Sequence, residues 1–189
     1  NADAIDWTTE FTPWMDGAVF TTHGQQGHRM WWTNGSVTTS IWQAPWFSSS
    51  TSSDLVNQST TLSSLGQGLL QGDENGLWFA AKDASAGLEM MHLSATGAFQ
   101  VYDLQPFGDS SPSQGLSLDD GFVVAASDGT GRQLAKLDHD GGFQWLTSMT
   151  KDGTTTPVSV IAPAFGIEVL RDNLVFDVVY RGADATLFT

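Results

Sequence analysis

Cysteine is absent from the 189 residues, which excludes disulfides and thiolate metal sites from whatever holds this fold together. Positive charge is scarce as well: 7 Lys and Arg stand against 21 Asp and Glu, a formal net charge of −14. Affinity for nucleic acid or an anionic membrane face rests on basic side chains neutralising phosphate, so neither is an expected partner. The chain also lacks any apolar run of the ~18 residues or more that a membrane-spanning helix needs. Its first residues do not show the basic-then-apolar profile of an intact signal peptide, and the expectation is a soluble, already processed chain with no membrane span. No window sustains a helical apolar period. What is present instead is aromatic bulk, 8 Trp and 11 Phe, among 20 Gly and many Ser and Thr, a composition that suits packed β-structure with frequent turns. Strong acidity, little Lys and Ser/Thr-rich turns suit an extracellular or cell-surface protein.

One phrase recurs four times: Gly17-Ala-Val-Phe20, Gly76-Leu-Trp-Phe79, Gly121-Phe-Val-Val124 and Asn173-Leu-Val-Phe176, each followed by Gly27, Gly87, Gly131 or Gly182. The copies are spaced by about 45–60 residues, the period of a four-stranded propeller blade. Each phrase is led by a turn pair, Asp16-Gly17, Asn75-Gly76, Asp120-Gly121 or Asp172-Asn173, of the kind that closes tight hairpins. The second strands are expected at 18–22, 77–81, 122–126 and 174–179. Third strands follow at 29–32, 88–92, 133–137 and 186–189, and fourth strands at 38–43, 99–104 and 143–148. First strands fall at 11–15, near 62–70, at 115–118 and at 161–170.

The fourth copy lacks a fourth strand, and residues 5–9, which alternate as a strand does, are left over at the other end. The expected architecture is therefore an all-β, four-bladed β-propeller of one domain over residues 1–189. Its units lie near 11–44, 60–105, 115–149 and 158–189 plus 1–10, and the N-terminal strand closes the last blade against 186–189. The same arithmetic allows residues 5–9 of one molecule to complete a neighbour's last blade, giving self-association by strand exchange. Residues 45–67 are expected to hold an extended loop.

The first copy reads Val19-Phe-Thr-Thr-His-Gly-Gln-Gln-Gly27-His-Arg-Met-Trp31-Trp-Thr-Asn34-Gly35-Ser36. It resembles the bacterial repeat that runs Ala-Asp-Asp-Gly, Gly-Arg-Glu-Leu-Trp, two residues, Asp-Gly-Thr, with Met30-Trp31 for Leu-Trp and Asn34-Gly35-Ser36 for Asp-Gly-Thr. The second copy keeps Glu89 and has Met91 for the Trp; the third keeps Arg132 and Leu134 with Ala135 for the Trp; the fourth keeps Gly182 and Leu187-Phe188. The resemblance implies a secreted or cell-surface propeller and brings no catalytic residues with it.

Six of the eight Trp fall in the first 46 residues. Trp31 and Trp32 are adjacent, so on a strand they face opposite ways, and one of them, with His28, Arg29 and Trp46, offers a candidate surface for stacking on sugar rings. The alternative is that these rings simply fill the core. Asp138 and Asp140 are the best-placed oxygen ligands for one structural Ca²⁺, unless they only cap their hairpin. Histidines 23, 28, 92 and 139 show no metal-ligand spacing, there is no Gly-x-Ser-x-Gly elbow, and Gly24-Gln-Gln-Gly27 lacks the Lys and following helix of a phosphate loop. The expected function is non-catalytic: a protein-interaction or structural module, with other protein subunits or surface glycans as partners. A lectin-like propeller is the alternative, and a hydrolase with paired carboxylates stands behind it.

Overall fold

The structure is a computed structural model that describes residues 4–5, 11–24, 27–43, 55–56, 69–83, 85–147, 159–160, 168–170, 173–175 and 178–179. Among these residues every regular element is a strand, and no helix is long and apolar enough to cross a membrane. The first sheet comprises β1 (Ala4–Ile5), β2 (Thr12–Trp14), β3 (Gly17–Gly24), β4 (Gly27–Thr33) and β5 (Thr38–Gln43). The second comprises β6 (Leu55–Val56), β7 (Gln71–Gly72), β8 (Gly76–Asp83), β9 (Gly87–Ser94) and β10 (Phe99–Tyr102). The third is β11 (Gln114–Leu118), β12 (Gly121–Ser127), β13 (Arg132–Leu137) and β14 (Phe143–Trp145). All three are antiparallel and four strands wide. The fourth copy contributes two short pairs, β15 (Ser159–Val160) with β18 (Val178–Val179) and β16 (Glu168–Leu170) with β17 (Asn173–Val175).

The side-chain period of two decides how the sheets meet. Val19 and Met30 face forward from the first sheet, and Leu77, Phe79 and Met91 face back from the second; together they form one buried seam with Trp14. Trp78 and Met90 face forward from the second sheet and meet Phe122, Val124, Ala135 and Leu137 of the third in a second seam. Val123, Ala125 and Leu134 repeat the forward face on the third sheet, where β15 lies beside β13. The second copy therefore buries one face on the copy before it and the other on the copy after it. Burial of a side chain the size of Phe79 or Phe122 stabilises by about 1.5–3 kcal/mol.

The first strands lie along one side of the stack, β2 beside β7 and β7 beside β11. The Gln71 amide acts there as a substitute peptide group: Nε2 donates to Gly115 O at 2.8 Å, and Oε1 accepts from Ser117 N at 3.0 Å. Close approach at the first seam depends on Gly72, where a Cβ would stand 2.7 Å from Pro13 O and 3.0 Å from the Trp14 ring.

Two expectations need correction. Residue Ile5 pairs with Thr22, and Ala4 with His23, on the first sheet, so this end of the 5–9 segment does not close the last blade and is not free to donate to a neighbour. Residues 186–189, its expected partner, lie outside the described residues. The expected 45–67 loop likewise contains a strand, Leu55–Val56, paired with Ala81 and Ala80. Both have one physical cause. The second strands are 8 residues long, while β2 covers Gly17–Val19 and β7 covers Leu77–Trp78, and the remaining edge would expose unpaired N–H and C=O groups. The pieces β1 and β6 occupy it. In the third sheet β11 alone runs from Gly121 to Ala125. Of the fourth copy's expected strands, 161–170 is described at β16 and 174–179 at β17 and β18, while β15 lies just ahead of both. The four-bladed ring is not completed by the described residues.

Gly72→Ala should lower stability by about 1–3 kcal/mol through overpacking at the first seam, measured by urea denaturation against Gly97→Ala, whose Cβ would meet no heavy atom within 4 Å but whose backbone φ is +87°. The Gly97 variant reports backbone strain without crowding, and destabilisation at Gly72, whose backbone carries no such strain, isolates the seam contact.

Candidate functional site

A polar constellation of Asp73, His92 and His139 lies at one end of the second seam. Asp73 occupies the turn between β7 and β8, where its Oδ1 accepts the N–H groups of Asn75 and Gly76, each at 2.8 Å. Its Oδ2 accepts Trp78 Nε1 at 2.8 Å and Ser117 Oγ at 2.9 Å. Burial alone would raise this carboxyl, yet the four donors outweigh it and hold the group below its ordinary value. His92 on β9 stacks on the Trp78 ring, centroids 4.2 Å apart. It is 2% exposed, and burial first, then the neighbouring His139, pulls its pKa down against the opposing pull of Asp73. The ring is therefore neutral near pH 7. Gly76 leaves room for it: a Cβ there would stand 2.3 Å from His92 Nε2.

His139 enters from the third sheet, in the turn between β13 and β14. Its ring centroid is 5.3 Å from that of His92, and its Nε2 lies 3.2 Å from Asn75 Nδ2. Two nitrogens of this group, His92 Nε2 and His139 Nδ1, are buried with no hydrogen-bond partner.

At the other end of the sheets, Glu89 is fully buried and fastens the connection between β10 and β11. Its two oxygens accept Leu104 N and Ser110 N, both at 3.0 Å. Burial, the largest influence, pushes the carboxyl up to about 7 in spite of those donors. The connection it fastens carries a turn in which Gly108 N donates to Gln105 O at 3.0 Å. Pro106 takes the second position and Phe107 the third, with a φ of +69°. This is the type II position that ordinarily takes Gly or Asn, and the Phe107 ring is wholly exposed. Asp103 and Asp109, both exposed, flank the turn.

The residues singled out from sequence are dispersed. Trp31 and Trp32 do face opposite ways. Trp32 packs in the first seam and donates to Trp14 O at 3.3 Å, while Trp31, half-buried on the other face, donates to Thr22 Oγ1 at 2.8 Å. Arg29 is half-buried beside them on β4. The backbone of His28 pairs with that of His23, and Trp46 lies outside the described residues. Asp138 and Asp140 are exposed in the β13–β14 turn. Asp138 O accepts the Tyr102 hydroxyl at 2.5 Å, Asp140 Oδ1 caps Gly142 N at 3.3 Å, and neither joins a third acid or histidine among the described residues. The residue between them, His139, is the one the seam uses. Its nearness to Asp73 and His92 follows from copy-to-copy stacking, and spacing along the chain does not reveal it.

Compared with known proteins, the chain matches no family model, no curated protein and no solved structure.

The Glu89 carboxyl makes stability pH-dependent with a definite sign. Below pH about 4.5 it is protonated folded and unfolded; between about 4.5 and 7 only the unfolded chain ionises, so stability falls as pH rises. The advantage of the wild-type chain over Glu89→Gln should shrink by about 1–3 kcal/mol between pH 4.5 and 8, the lower end if solvent screens the carboxylate. Paired denaturation curves at the two pH values measure it; a difference that stays flat contradicts the shift.

Proposed function

We propose that this chain is a four-bladed propeller acting as a non-catalytic interaction module at the cell surface or outside the cell. Phe107 carries the interaction. A bulky aromatic held at positive φ costs about 1–3 kcal/mol, and a wholly exposed ring recovers none of that by burial within the chain. A turn that sacrifices stability to display an aromatic ring is accounted for by a partner that covers it. The flanking Asp103 and Asp109 and the net charge of −14 favour a protein partner with an apolar pocket rimmed by Lys and Arg, because charge complementarity steers such encounters. Support for the propeller comes from three copies that stack face to face in the same sense, with the fourth copy beside the open face of the third. Composition supports the extracellular setting.

Panning a displayed random-peptide library on the immobilised chain should enrich aromatic or aliphatic peptides rich in Lys and Arg. Phe107→Gly should weaken them at least about tenfold while melting no lower than wild type, since Gly relieves the turn. Peptides that bind the variant equally well would overturn the assignment. Glycan-array binding lost in the same variant would transfer it to the lectin-like alternative.

A further inference from the structure

We infer that Asp73, His92 and His139 form a binding site for one divalent transition-metal ion of the zinc class, bridging the second and third sheets. The ligand atoms these residues offer, one apiece, lie within 4.8 Å of one another. In a tetrahedral site with bonds about 2.0–2.1 Å long, neighbouring ligand atoms stand about 3.4 Å apart, so closing the site takes a movement of about an ångström. Two of the three residues sit in turns, where such a movement is least resisted. The decisive observation is on His92. A polar nitrogen buried without a partner costs about 1–3 kcal/mol, and Nε2 of this 2%-exposed ring has none; His139 Nδ1 is orphaned in the same way. Coordination satisfies a nitrogen that no donor or acceptor among the described residues reaches.

The donor set selects the ion. Two imidazoles and one carboxylate suit zinc and its transition-metal neighbours, whereas Ca²⁺ and Mg²⁺ want oxygen throughout. The surroundings also supply what ligating groups require of their neighbours. Trp78 orients both Asp73, by its indole N–H, and His92, by stacking. Asn75 Nδ2 lies 3.2 Å from the other nitrogen of His139, and turning that amide over brings its oxygen there to accept the N–H that a ligating imidazole donates. Although Asp73 accepts four hydrogen bonds, one comes from the Ser117 hydroxyl, which can rotate away and free a lone pair on Oδ2 for the metal. Water completes the fourth position. His139 is the third sheet's one ligand, so the ion fastens two sheets together, and its binding energy adds to fold stability.

Isothermal titration of the metal-stripped chain with ZnCl₂ should give one tight site per chain. The melting temperature should rise with Zn²⁺ and not with Ca²⁺, and Co²⁺ should give the intense visible absorption of a tetrahedral complex. His139→Ala, in a solvent-facing turn, should keep the circular dichroism of the wild type and lose at least about a hundred-fold in affinity, the upper end of what losing a ligand's outer partner costs, as should His92→Ala. The double variant His23→Ala/His28→Ala should bind as wild type does. Absence of a tight site, affinity unchanged in His139→Ala, affinity lost in the His23/His28 variant, or a Ca²⁺ response in place of a Zn²⁺ response would each overturn the proposal.

Discussion

Trp78 and Phe79 are neighbours on one strand, point to opposite faces and are both buried. A sheet with that property cannot stand alone, nor can it serve as the half-solvated layer of an ordinary antiparallel protein. It needs a cover on each side. Leu77, Phe79 and Met91 find theirs in the first sheet, Trp78 and Met90 in the third, and everything else in the molecule is arranged around that requirement. The requirement passes to the third sheet too, whose Val123 and Leu134 are buried on the side where β15 lies. Stacked repeats share their cores in this way, and no single repeat can be removed without exposing a neighbour.

Apolar contact alone would leave the sheets free to slide. Directional bonds fix the second seam: the Gln71 amide spans to β11, Asp73 takes the Ser117 hydroxyl, and Tyr102 reaches the Asp138 carbonyl. Tyr102 stays protonated because burial, helped by Asp140 and Asp138, raises its pKa. The first seam rests on packing: Thr12 Oγ1 and Leu70 O make a long contact of 3.5 Å across it, while the rings of Phe79 and Trp42 meet edge-on at 5.8 Å.

Strand alternation and turn pairs are local, and local signals carried the all-β class and the main strands of the first three copies. The segment 38–43 was readable to the residue, and the phrases at Gly76 and Gly121 marked strands that proved only slightly longer than expected. What local signals could not carry was the partition of an edge. Nothing in Ala4–Ile5 or Leu55–Val56 says that each fills the half of a long strand that the nearer piece leaves bare; that depends on the length of β3 and β8 relative to β2 and β7. The site was less legible still. Asn75-Gly76 marks the turn in which Asp73 sits, but His92 and His139 stand 47 positions apart and meet only because consecutive copies stack. Phe107 was hidden for the opposite reason: Gln-Pro-Phe-Gly reads as a turn from its Pro and Gly, while the cost of Phe at its third position appears only in the backbone angle.

The inequality of the two seams bears on how the molecule comes apart. Among the described residues apolar packing and the long Thr12–Leu70 contact join the first sheet to the second, whereas several short, oriented bonds pin the second to the third. Under a pulling force or on warming, the first sheet should shear off as a plate while the other two travel together. The stack is then a pair of bodies hinged along its first seam, with mechanical give on one side and rigidity on the other.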